Sequence, residues 1–302
     1  MKLTKRNILA YLLAQLLIMS GRIRNIHRRS QNGDFILSVY FHNPSKALFE
    51  NTVKWFLKRK YRFLSVKELV DILKSQKSFP SSCVIFTVDD GWKENKENIF
   101  SVAQKYSIPV TIFATVDPIE KQEGFWWSYI IKAYKEKLIQ QTVQKLKDVP
   151  NSFRRKTVLH TKQLISIQGE ALTIEDVKEM NQHPFMDIGS HTLSHPILTK
   201  CSEGLARREI VESKIVLEKW INRPINSFAY PNGNYSTREI DILKENGYEI
   251  AFSTQQKYLE NYYPINAHAI PRFDVLEEVS FAENICRMTG VWFYRKGRKQ
   301  LK

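Results

Sequence analysis

The feature that most constrains this chain is an alternation. Short apolar, β-rich runs occur at FILSVYF (35–41), CVIFTV (83–88), VTIFATV (110–116), MDIGS (186–190), NSFAY (226–230), EIAFST (249–254) and AHAIPRF (267–273). Stretches with helical character lie between them at 46–60, 66–75, 94–106, 203–220 and 236–246. Continuously apolar strands belong to a sheet buried on both faces, and intervening helices make that sheet parallel. Seven such units predict an α/β fold, a closed or nearly closed (β/α)7 barrel of distorted TIM type. An open doubly wound sheet is the structural alternative. The stretch 120–172 breaks the rhythm with WW (126–127) and a polar helical region rich in Lys and Gln. It reads as an insertion near the barrel mouth.

The chain therefore divides into a basic amphipathic segment (1–30), a barrel domain (31–285) and a basic tail (286–302). The formal charge of +15 suggests nucleic acid only until it is mapped. Residues 1–30 carry seven Lys and Arg, residues 287–302 carry six, and neither stretch has an acid, so 13 of the 15 charges lie at the ends. A nearly neutral body without a nucleic-acid motif gives no expectation of nucleic-acid binding, which would show as a steep salt dependence of affinity. The apolar run from Ile8 to about Ser20 is shorter than the ~20 residues a spanning helix needs. Leu9, Leu12, Leu13, Leu16 and Leu17 recur at helical spacing, and four arginines follow by position 29. This pattern predicts a retained amphipathic helix on an anionic membrane surface, on the cytoplasmic side. An uncleaved signal anchor, or a helix packed on the domain itself, are the alternatives. The three cysteines, Cys83, Cys201 and Cys286, form no CxxC pair, and their odd number argues against a disulfide framework.

Functional residues of a β/α barrel gather at the C-terminal ends of its strands. Asp89, His191 and Pro231 each fall just past an expected strand. Of seven histidines, only GSHTLSHP (189–196) brings two together at a useful spacing. One helical turn would place His191 and His195 on one face, where two imidazoles and a carboxylate from elsewhere would bind a metal. Two unrelated polar loop histidines are the alternative. FTVDDGW (86–92) ends a strand on two adjacent carboxylates. Such a pair is commonly a solvated turn or helix cap. Beside a divalent cation, one carboxylate would ligate it and the other would accept a proton from an acidified water. FAYPNGNY (228–235) is ordinary turn chemistry, but at a strand end it would offer a backbone N–H to a developing oxyanion. Trp126, Trp127 and Tyr235 are candidates for stacking on sugar rings, with packing the commoner fate of the tryptophans.

TVDDG (87–91), SHTLSHP (190–196) and FAYPNG (228–233) stand in the order and spacing of the polysaccharide deacetylases, the NodB-homology domain or carbohydrate esterase family 4. The resemblance covers about 35 to 275. It implies a NodB-like barrel that removes N-acetyl groups from amino sugars of a polysaccharide or oligosaccharide, with one divalent metal, usually zinc. A lipid-linked sugar substrate, O-deacetylation, and a non-catalytic glycan-binding barrel are the alternatives. By the same resemblance Asp89 is the catalytic base, Asp90, His191 and His195 are the metal ligands, and Arg272 orients the base. Tyr230, Pro231 and Asn232 shape the substrate groove, with the N–H of Asn232 facing the oxyanion. Two departures stand out: Ala229 and Asn232 replace the usual arginine and aromatic, and no leucine-x-histidine motif supplies a general acid. His268, late in the chain, is the candidate acid. His42, ending the first strand, is a candidate substrate-site residue.

Overall fold

The computed structural model describes residues 4–262 and 264–293. Among the described residues nine strands form one sheet: β1 (Phe35–Phe41), β2 (Arg62–Phe63), β3 (Cys83–Asp90), β4 (Val110–Ala114), β5 (Met186–Ser190), β6 (Ser227–Ala229), β7 (Ile250–Phe252), β8 (Leu259–Glu260) and β9 (Phe273–Asp274). The strand order is β7-β6-β5-β4-β3-β1-β8, with β2 beside β3 and β9 beside β1. All pairings are parallel except β1 with β8. Every residue of β1, β3 and β4 is buried, as expected of strands covered on both faces.

The sheet curls into a distorted barrel. Ile270 bridges Phe252 of β7, and three residues later Phe273 pairs with Val39 of β1. One short segment thus spans the gap between the two ends of the parallel sheet. The expected strand at 267–273 is mostly not a strand: Ala267–Ala269 form a 3-10 turn and regular pairing is confined to Phe273–Asp274. A closing segment must change partners within four residues, and that leaves no room for a continuous ladder.

The helices that cover the sheet start on local signals. Those between β1 and β4 are α3 (Lys46–Lys58), α4 (Val66–Ser75) and α5 (Ser101–Tyr106), the last preceded by a π-helical turn at Lys96–Phe100. Ser65 caps α4 in a reciprocal capping box with Glu68. After β4 come α6 (Val116–Lys121) and three helices of the insertion, α7 (Trp126–Lys135), α8 (Val143–Asp148) and α9 (Asn151–Leu164). Thr173 and Asp176 form a second capping box at the start of α10 (Ile174–Gln182), which leads into β5. The longer α11 (Glu203–Ile221), then α12 (Thr237–Glu245) and α13 (Phe281–Met288), complete the cover.

Two helices precede β1: α1 (Lys5–Met19) and α2 (Arg22–Gln31). The first docks on the body through Asn7, Ala10 and Ala14, and Arg6 makes a two-pronged ion pair with buried Glu283 of α13 at 2.8 and 3.0 Å. Its other side leaves Leu9, Leu12, Leu16 and Met19 exposed. No helix among the described residues is long and apolar enough to cross a membrane. The three cysteines are free and buried. Most of the basic tail, 294–302, lies outside the described residues.

Candidate active site

The strand ends that carry the motifs are brought level by register. Asp90 pairs with Ala114 of β4, Ala114 with Ser190 of β5, and Ser190 with Phe228 of β6. The residues just beyond them therefore share one rim. Gly189 is required one step inside it, because a Cβ there would meet the Phe113 ring at 2.4 Å.

Asp89 lies at this end of β3 with its carboxylate buried. Arg272, from the closing segment, donates Nη1–H to Oδ1 and Nη2–H to Oδ2, both at 2.7 Å. The guanidinium is fully buried, and it also donates to Thr87 Oγ1 (2.9 Å) and to the Ser253 carbonyl (3.0 Å). The Tyr40 ring faces it at 4.5 Å. Burial acts to raise the Asp89 carboxyl, but the charge and hydrogen bonds of Arg272, with His191 nearby, outweigh it and hold the group below its ordinary value. Asp89 is therefore a carboxylate kept ionised, and it lies outside the group formed by Asp90, His191 and His195.

Asp90 faces the two histidines. His191 Nε2 and His195 Nε2 lie 3.6 and 3.4 Å from Asp90 Oδ1. The three ligand atoms fall within 4.8 Å of one another, and all three residues are buried. Trp92 Nε1–H donates to Asp90 Oδ2 at 2.9 Å, which fixes the carboxylate. His191 Nδ1 lies 2.7 Å from the Ala229 carbonyl, so Nδ1 carries the proton and Nε2 presents its lone pair. Burial lowers both imidazoles, His195 strongly, with the neighbouring ring adding to the effect at His195. Two neutral imidazoles and a carboxylate converging without a proton between them are the donor set of a divalent cation, and the residues fit one.

The histidine pair is not on a helix, as one-turn spacing suggested. It lies in a loop in which Thr192 (φ 72°) and His195 (φ 55°) take left-handed conformations. His195 N–H donates to Thr192 Oγ1, and buried Glu209 accepts from the Ser194 N–H and hydroxyl. The two rings still meet at 4.7 Å, because the loop reverses the chain as tightly as a helical turn would.

The remaining candidates divide. Asn232 is exposed at the rim, in a turn where it adopts φ 58°, whereas Tyr230 and Pro231 are buried beneath it. The next residue must be glycine, since a Cβ on Gly233 would meet Thr254 Oγ1 at 2.0 Å. His42 is exposed, packs edge-on to Tyr40 (5.4 Å), and follows Phe41, which pairs with Val88 next to Asp89. His268 does not join this group: its Nε2 bonds the Tyr248 carbonyl at 2.8 Å, before β7 begins, and its own carbonyl accepts from Tyr230.

Two contributors went unread in the sequence, Trp92 and Lys147. Trp92 was legible in principle, one glycine after the acid pair. The insertion and its tryptophans were expected near the mouth, but their particular contacts arise only through tertiary structure. Trp126 Nε1–H donates to the His195 carbonyl (3.1 Å), the Trp127 ring lies 4.6 Å from that of His195, and Lys147 donates to Asn232 Oδ1 (2.7 Å).

A barrel with a separate ionised aspartate at its mouth, beside a buried Asp-His-His cluster that could hold a metal, is the arrangement of a hydrolase. The family model for polysaccharide deacetylase matches residues 76–251, and the chain belongs to that family. It is 24% identical over 210 residues to the Bacillus subtilis polysaccharide deacetylase YxkH, covering 70% of this chain and 58% of that one. It is 22% identical over 275 residues to the poly-β-1,6-N-acetyl-D-glucosamine N-deacetylase of Staphylococcus aureus, covering 88% of this chain and 82% of the relative. Among solved structures, the Streptococcus pyogenes deacetylase PplD in complex with acetate superposes with a TM-score of 0.62 at 19% identity, over 84% of this chain and 98% of that one. IcaB from Ammonifex degensii gives 0.60 at 18% identity, over 86% and 97%.

Two outcomes test this geometry. Replacing Arg272 by Met leaves Asp89 buried without its cation and lowers the unfolding free energy in urea by about 3–5 kcal/mol. A loss below about 1 kcal/mol would show that the pair does not secure the fold. The second outcome concerns pH. His191 and His195 have lowered pKa values in the fold, while in the unfolded chain they titrate near 6.5. Below that pH the unfolded chain binds more protons, so stability is lost as pH falls. The melting temperature of metal-free protein should drop between about pH 7 and pH 5, and a flat or rising profile would reject neutral rings.

Proposed function

We propose that this protein is a metal-dependent hydrolase that removes N-acetyl groups from amino sugars of a polysaccharide or oligosaccharide. One observation carries the reading. Asp89 is held ionised by Arg272 next to three converging ligand atoms, yet is not one of them. A structural metal site has no use for a free base beside it, whereas hydrolysis of an unactivated amide needs one.

Asp90, His191 and His195 would hold the cation, zinc or another divalent ion. Bound there, it supplies Lewis acidity toward water and the acetamide carbonyl. The protein's own groups do the rest. Asp89 takes a proton from the attacking water, and Arg272 keeps that carboxylate aligned. The Asn232 N–H is the backbone donor for the developing oxyanion. The amine must leave protonated, and His42 is the histidine placed to supply that proton, since it follows Phe41, which pairs with Val88 beside Asp89. Trp127, half-buried against His195, offers a wall for a sugar ring.

The same reading places the protein at a bilayer. Docking of α1 through its small-residue face turns Leu9, Leu12, Leu13, Leu16 and Met19 outward as one apolar stripe. Arg24 and Arg28 of the next helix are exposed nearby in sequence, and residues 1–30 carry no acid. An apolar stripe accompanied by cations fits an anionic membrane surface. A polymer or lipid-linked glycan presented there is the substrate this arrangement suits.

The decisive assay pairs metal analysis with acetate release from a panel of N-acetylated glycans, with and without chelator. Asp89→Asn should bind the cation normally and lose acetate release by about a hundredfold or more. Activity equal to the parent would remove Asp89 from the mechanism. Replacing Leu12 and Leu16 together by Ser should weaken binding to vesicles containing phosphatidylglycerol by roughly tenfold or more without changing the melting temperature. Undiminished sedimentation with the vesicles would reject the membrane surface.

A further inference from the structure

The insertion does more than pack near the mouth. Leu146 of α8 is buried in one cluster with Trp126 and Ile130 of α7, and Trp126 donates to the carbonyl of the ligand His195. This fixes α8 relative to the metal loop. The next residue along, Lys147, is half-buried and donates an Nζ–H to Asn232 Oδ1 at 2.7 Å. Among the described residues no carboxylate pairs with it. The negative charges it feels are those of Asp90 and of its chain neighbour Asp148.

These two relations locate the ammonium. It touches the turn whose backbone N–H faces the oxyanion, and it senses the carboxylate on the metal side of the site. In the deacetylase reading the tetrahedral oxyanion develops between those same two places. The neutral Asn232 amide is an exchangeable partner for a lysine, which has three donors and needs only one for this bond. Burial lowers the ammonium below its ordinary value, so part of its hydration is already lost and an arriving negative charge meets it at reduced screening.

We propose that Lys147 is a catalytic residue of the deacetylation, donating an N–H to the tetrahedral oxyanion from the insertion side. The inference rests on the deacetylase reading. In the step, a water oxygen bonds the acetamide carbon while Asp89 takes one of its protons, and the carbonyl π electrons move onto oxygen as the oxyanion. Lys147 stabilises that charge and keeps its own proton. The C–N bond then breaks, the nitrogen leaving with a proton from an acid, and the carbonyl re-forms as acetate.

A positively charged donor present for the transition state but indifferent to the ground state acts on kcat and not on KM. Lys147→Met and Lys147→Arg, made in the full chain, test it by steady-state acetate release from an N-acetylated oligosaccharide and by titration of the metal-free protein with Zn2+. For Lys147→Met the expected result is a kcat lower by roughly 10- to 1000-fold, with KM changed by less than about threefold. Zn2+ affinity should be equal or tighter, because a cation near Asp90 is gone. Lys147→Arg should recover part of kcat. A kcat within about twofold of the parent overturns the proposal. So does a raised KM at constant kcat, which would make Lys147 a glycan anchor. Weakened Zn2+ binding with a lower melting temperature would make it a structural strut and overturns it too. If the parent binds Zn2+ but releases no acetate from any glycan, the deacetylase reading fails first and takes this assignment with it.

Discussion

The Arg272–Asp89 ion pair is the constraint around which the rest is arranged. Removing two charges from water costs several kcal/mol per ion, and a buried pair recovers this only with well-aligned geometry and further hydrogen bonds. Both conditions are met: two 2.7 Å bonds join the groups, and Thr87 and Ser253 accept further guanidinium protons. Phe113 and Phe252 complete the surround with Tyr40. The arginine belongs to the segment that bridges β7 to β1. Closure of the barrel and alignment of the Asp89 carboxylate are thus one structural event, and neither side of the pair is stable in its place without the other.

Two adjacent carboxylates acquire different roles from their surroundings. Asp89 turns inward to a permanent cation. Asp90, with φ 77°, turns to Trp92 and two imidazoles. The left-handed backbone at Asp90, Thr192, His195 and Asn232 gathers around one mouth. Such conformations cost of order 1–3 kcal/mol each and persist where the surrounding structure over-determines them. Here Glu209 braces one loop, Thr254 crowds the next, and the insertion leans on both through Trp126 and Lys147.

Much of this was legible beforehand, for a physical reason that also sets its limit. Buried parallel strands need uninterrupted apolar runs, so the sheet could be read with boundaries displaced by a few residues. The exceptions are the two-residue strands β2 and β8, which no apolar run announced, and the last strand, where a partner change within four residues breaks the ladder. The histidine spacing was read as a helical turn. The rings do converge, but through left-handed residues that an HxxxH pattern does not specify. The N-terminal helix was expected to be amphipathic; its docked side is instead built of Asn7, Ala10 and Ala14 and its leucines face outward. Which face docks was fixed by α13, through Glu283.

By itself, the sequence determined what neighbours along the chain can determine: which segments are strands, which ends carry acid, imidazole and turn chemistry, and, by resemblance, which family the motifs belong to. Only the tertiary structure decided which of these groups meet. Arg272 reaches Asp89 across 183 positions and Lys147 reaches Asn232 across 85. Such encounters depend on sheet register, barrel closure and the docking of an insertion, and periodicity along a chain carries no record of any of them.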